Sequence, residues 1–165
     1  MQGRTKVTQR ELHYLEDCLK AEELTIRKCQ FLATETTDPE VAEICKHMAT
    51  IHLQHYNTLL LHLQNDQSQV HSCASMLKKN GKWRAGHIFL EAISCQQHLT
   101  KLYNQAAIEA SSDTLRQDFF NILDEEHQLH RDIFQVMQRR GLYSPQMAEN
   151  RELAMAGQHF PVQVR

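Results

Sequence analysis

Eleven histidines among 165 residues carry most of the chemical potential of this sequence. Imidazole titrates near neutral pH and is the commonest protein metal ligand. Four of the eleven form two H-x-x-H pairs, His52 with His55 and His127 with His130. Positions three apart on a helix share a face, so each pair can aim two nitrogens at one point. Glu22 adds a carboxylate on an otherwise apolar stripe, with Cys18 and Ile26 one turn to either side. An ionised carboxylate in that setting is costly unless it is paired or ligated. Glu22, His52, His55, His127 and His130 are therefore the candidate metal ligands, for one divalent ion of zinc, iron, copper or nickel, all of which suit imidazole. The same residues also fit a buried hydrogen-bonded network without metal, in which Glu22 pairs with a histidine and Gln97 satisfies another. No catalytic residue is assigned, because the sequence has no Gly-rich phosphate loop, nucleophile elbow or C-x-x-C pair.

The remaining titratable groups have blander readings. His13, His62, His71, His87, His98 and His159 read as surface or rim residues, and Glu125 and Glu126 as a solvated face from which Glu126 can turn inward as a second carboxylate. The five cysteines, at 18, 29, 45, 73 and 95, are odd in number and show no zinc-site spacing. Four lie within helical patterns, where a free Cys acts as a small apolar filler.

The elements that must position these residues are helical. Leu12, Leu15, Leu19, Glu22, Ile26, Cys29 and Ala33 step by three and four and predict a helix over about 8–36. Asp38-Pro39 reads as an N-cap with Pro at the first helical position, opening a helix over 38–65. A polar connection over 65–84, with room for a short helix near 70–77, leads to a third helix over 83–110, opened by Trp83. Asp113 caps a fourth helix over 114–140, closed by Gly141. Residues 1–143 thus form one all-α domain, an antiparallel four-helix bundle of two hairpins joined by a longer middle crossover, and 144–165 form a tail.

Shifted by 75 residues, the two halves align without gaps: Asp38 on Asp113, His52 on His127, His55 on His130, Met48 on Leu123, Leu59 on Phe134, and Glu22 on Gln97. This frame implies a duplicated hairpin. It predicts that Glu22, His52, His55, His127 and His130 meet at mid-height, since Glu22 and His52 lie at similar distances from the turn at Asp38.

Two resemblances emerge from these stretches. Asp38-Pro39-Glu40-Val41 and Ala49-Thr50-Ile51-His52-Leu53-Gln54-His55 resemble the second helix of rubrerythrin and ferritin-like proteins, where Ala precedes E-x-x-H, and Glu22 falls on their first-helix Glu. Over the second half, Tyr103-Asn104-Gln105-Ala106-Ala107-Ile108-Glu109-Ala110, Leu115-Arg116, Glu126-His127 and the closing Met137-x-x-Arg140-Gly141-x-Tyr143 are similar to the spore coat protein F family. The resemblances imply a ferritin-like bundle associated with the spore coat of a spore-forming bacterium. Departures argue against a di-iron oxidase centre: His52 and His127 stand where that pattern has Glu, as does Gln97, and Cys29 replaces a first-helix Tyr. Neutral imidazole cannot bridge two irons as carboxylate does.

The formal charge of −2 gives no basic field for nucleic acid or an anionic membrane surface. No apolar run approaches a bilayer span. Residues 1–10 lack the apolar core of a signal peptide, so cytoplasmic synthesis is expected, with the spore coat as destination. The expected partners are a second copy, as a dimer, and other coat proteins. A structural role is expected ahead of an enzymatic one.

Overall fold

The computed structural model describes residues 7–63 and 83–158. They form five helices and no strand: α1 (Gln9–Glu35), α2 (Pro39–Leu61), α3 (Ala85–Glu109), α4 (Asp113–Arg139) and α5 (Asn150–Gln158). The short helix considered near 70–77, like Cys73, His71 and His159, lies outside the described residues. The four long helices pack as a bundle, most extensively within the pairs α1–α2 and α3–α4, while α2 and α4 touch little.

Local chemistry sets the helix ends. Thr8 and Glu11 form a reciprocal capping box at the start of α1. Asp38 caps α2 by accepting from the N–H groups of Glu40 and Val41, with Pro39 at the first position. The cap of α4 is Ser112, not Asp113 as expected, with its hydroxyl accepting from the Leu115 N–H. α2 ends at Leu61, short of the expected 65, and α3 begins two residues after Trp83. Trp83 remains substantially exposed, with its ring edge-on to Phe31 at 6.3 Å and its backbone N–H donating to the Glu35 carbonyl.

Moving the α4 cap by one residue changes its register. Buried positions recur 74 residues apart, not 75: Val41 and Leu115, Cys45 and Phe119, Met48 and Ile122, Leu59 and Ile133, Leu15 and Phe89, Cys18 and Ala92. The apolar core forms two clusters, one around Met48, Phe89 and Ile133 and one around Leu15, Tyr103 and Phe119.

Polar ties join the elements at both ends. The Glu11 carboxylate accepts from the N–H groups of Ser111 (2.8 Å) and Ser112 (2.7 Å) and from the Ser111 hydroxyl (3.0 Å). At the opposite end Arg140 pairs with Asp38 and, at 3.1 Å, with Glu40, which Arg139 also contacts. These two arginines therefore clamp the start of α2, beyond the favourable placement of positive charge at a helix C-terminus. Gly141 takes φ +67°, and the Leu142 N–H bonds back to the Met137 carbonyl (2.8 Å) while Gly141 N–H reaches Gln138 (3.0 Å). This is a Schellman ending. Tyr143 then packs edge-on to Phe134 at 4.8 Å. The closing M-x-x-R-G-x-Y run is thus a buried Met, a clamp, a left-handed stop and an aromatic lock. Beyond it, every residue of α5 is exposed.

Candidate metal centre

α1 supplies Glu22, α2 supplies His52 and His55, and α4 supplies Glu126. Each offers one ligand atom, and these four atoms lie within 4.8 Å of one another, with all four residues buried. The helical phase explains the convergence. Glu22 sits on the core stripe with Cys18, Ile26 and Cys29, and His52 continues the buried stripe of Val41, Cys45 and Met48. Glu126 continues that of Leu115, Phe119 and Ile122.

His52 Nδ1 lies 2.8 Å from Glu22 Oε2 and 3.2 Å from Glu126 Oε1. His55 Nδ1 lies 3.3 Å from Glu22 Oε1 and 3.2 Å from the same Glu126 oxygen. The two rings are perpendicular, 5.7 Å between centroids. Around this core, Tyr103 donates its hydroxyl to Glu22 Oε1 at 2.5 Å. The outer nitrogen of His55, Nε2, meets Glu125 Oε2 at 2.8 Å, which turns its Nδ1 inward. A carboxylate on the outer nitrogen fixes the tautomer and raises the basicity of the other, the usual support for a ligating imidazole.

Burial opposes charge on both imidazoles, but the contacts with Glu126 and Glu22 outweigh it, holding His52 up at about 9 and His55 at about 10. Burial likewise works against an ionised Glu22, yet the two histidines bring its pKa below the ordinary carboxylate value. Tyr103 is pushed well above 10 by burial and by the Glu22 charge, so it stays a phenol and a donor. Without metal, then, the centre holds protonated imidazoles against carboxylate.

That state leaves groups unsatisfied. His55 Nδ1, His52 Nε2 and both oxygens of Glu126 are buried without a hydrogen bond, the 3.2 Å approaches of the two Nδ1 atoms to Glu126 Oε1 not being aligned for one. Both polar atoms of the fully buried Gln96 also lack a partner. A buried polar atom left unpaired costs about 1–3 kcal/mol. Convergent nitrogens and carboxylate oxygens that are close but mutually misaligned fit a cation at their centre: a divalent ion would replace two imidazole protons with no change in net charge. Two imidazoles with two carboxylates suit zinc or iron.

The structure brings together Glu22, His52 and His55 and leaves the other expected ligands outside. His127 is exposed, and His130 is half-buried on an outer groove with Gln97, itself exposed. The cause is the 75-residue frame, which is one residue, or about 100° of helical rotation, out of phase. In the observed register His52 matches Glu126, Glu22 matches Gln96 and His55 matches Leu129. The earlier frame paired buried Val41 with Arg116, an apolar-to-charged mismatch visible in the sequence. His13, His87 and His98 are exposed, and His62 meets Asp118 at 2.7 Å. Cys18, Cys29, Cys45 and Cys95 are free; burial pushes the first two up beyond the range of useful thiolates and Cys45 up to about 11.

Among known protein families, the Coat F domain matches residues 86–146, spanning α3, α4 and the Schellman ending. Over those residues the chain is similar to that family. No curated protein and no solved structure matches the chain. Among the described residues, no helix is long and apolar enough to cross a membrane.

Proposed function

We propose that this chain is a coat-type structural protein whose bundle holds one divalent transition-metal ion through Glu22, His52, His55 and Glu126. The coat role is supported by the Coat F match and by the clamp, stop and aromatic lock that the matched residues build. The metal role is carried by one observation: four ligand atoms within 4.8 Å of one another, in full burial, several of them lacking any hydrogen bond. A single ion fits better than a pair, because Gln96 and Leu129 occupy the places where a second ion would need a carboxylate and an imidazole.

The topology belongs to the same reading. Glu11 meets the turn after α3 while Glu35 meets the segment before it, and Arg140 meets the start of α2 while Asp118 meets its end. Such contacts support α1 antiparallel to α3 and α2 antiparallel to α4, the ferritin-like arrangement with a crossover between α2 and α3. The 74-residue recurrence of burial supports two like hairpins. Self-association as a dimer, and contact with other coat proteins, follow from the coat role.

Two measurements separate the parts. A tagged copy should be found in purified spores, and confinement to vegetative cytosol would remove the coat role. Elemental analysis of untagged protein, purified without chelator, should find about one zinc or iron per chain. Metal well below that, not restored by added iron, zinc or copper, would remove the metal role and leave the coat role standing.

A further inference from the structure

Between α3 and α4 lies an open groove of about 350 Å³ lined by Gln97, Thr100, Lys101, His127 and His130. No carboxylate lines it, and none of the four core residues does. His127 and His130 stand three residues apart on α4, on one helical face, where side chains are neighbours about 5–6 Å apart at Cβ. His130 is held by its ring contact with Phe134, 4.7 Å between centroids. Its Nε2 is shut off from solvent and has no hydrogen-bond partner. Gln97 lines the same groove from α3, and its amide offers a carbonyl oxygen.

We propose that His127 and His130, with the Gln97 carbonyl across the groove, form a second, outer site for a borderline transition-metal cation such as Cu²⁺, Ni²⁺ or Zn²⁺. Several observations support it. Neutral imidazole nitrogen is the preferred donor for these ions, and two on one helical face chelate. The site has two nitrogens and one oxygen and opens to solvent, leaving positions for water or an exogenous ligand; it should exchange metal readily, where the buried centre should not. Lys101 places a positive charge on the wall that opposes any cation, so binding there must rest on the imidazole nitrogens. The outer site does not depend on the core centre, since no residue is shared.

The test uses full-length, untagged protein whose core has first been saturated with zinc. Titration with Cu²⁺ should show a further equivalent, with nitrogen hyperfine structure in its electron paramagnetic resonance spectrum. His127→Ala combined with His130→Ala should weaken that binding at least about tenfold and abolish the nitrogen signal, while core zinc is unchanged. Both side chains lie outside the core clusters, so the fold should persist, as circular dichroism would verify. Gln97→Glu should tighten the outer site about tenfold by supplying a charged oxygen ligand. Equal Cu²⁺ binding in wild type and double variant overturns the proposal. So does inorganic phosphate binding that is lost in Lys101→Ala, which would make the groove an anion site.

Discussion

Glu126 and His127 are adjacent in the chain, yet the first is buried and the second exposed, and that difference determines what the core centre can hold. With His127 inward the core would have one carboxylate against four imidazoles; with Glu126 inward it has two of each. The burial and convergence of Glu22, His52 and His55 were legible in the sequence because a charged or polar residue on an apolar stripe stands out. Glu126 was harder to see, since it lies in the acidic run Asp124-Glu125-Glu126 and only phase distinguishes inward from outward. The centre as described is charged, which makes Glu22→Gln informative. Losing that carboxylate from metal-free protein leaves protonated imidazoles short of a partner, and should cost about 3–5 kcal/mol in urea unfolding, the usual cost of breaking a buried ion pair. A change below about 1 kcal/mol would mean that the centre is a neutral network. Metal uptake should also release protons, about two per ion near pH 7, because His52 and His55 must surrender theirs to bind. Calorimetry in buffers of different ionisation enthalpy measures this number, and a value near zero would contradict the charge state described here.

At the scale of elements, the four long helices were readable from their periodicity and caps, while the ties between them were not. Glu11 has the position of an ordinary capping-box residue, and nothing local announces that its other oxygen holds the turn at Ser111-Ser112. Burial raises its pKa, but backbone N–H groups of Thr8 and Ser112 and the hydroxyls of Thr8 and Ser111 outweigh this and hold it at about 2. A depressed carboxylate pKa stabilises the fold above the unfolded value near 4.5, and that contribution is lost as pH falls from about 4.5 to about 2. Glu11→Gln should therefore lower stability at pH 7 by about 2 kcal/mol, allowing for solvent screening, and flatten acid unfolding across that interval. An acid limb identical to wild type would show that the tie contributes nothing. At the other end, Gly141 closes α4 with φ +67°, and a Cβ there would meet nothing within 4 Å. Gly141→Ala should cost about 1 kcal/mol from backbone strain alone. A much larger loss would mean that the residue does more than end the helix.

For the molecule as a whole, the centre matters because its four residues come from both halves of the bundle. α1 and α2 form one hairpin and contribute Glu22, His52 and His55; α4 contributes Glu126 from the other. α2 and α4 pack sparsely against each other, so the two hairpins meet mainly through α1 and α3, the end ties and this buried cluster. An ion bound there joins the hairpins at mid-height, where the ends cannot. A ligand that binds only the folded state stabilises it by mass action, by about 2.7 kcal/mol at a free concentration 100 times its dissociation constant. For a chain of this size that is a rise of roughly 5–10 °C in Tm. Stripping metal with a chelator should lower Tm by that amount, and returning zinc or iron should restore it in a concentration-dependent way. His127→Ala with His130→Ala should leave this shift intact, because the outer pair joins no hairpin to another, whereas Glu126→Ala should abolish it by removing the only ligand from α4 among the four. A metal-dependent Tm shift that survives Glu126→Ala would show that the stabilising ion sits elsewhere, and that the bundle is held by its apolar clusters and end ties alone.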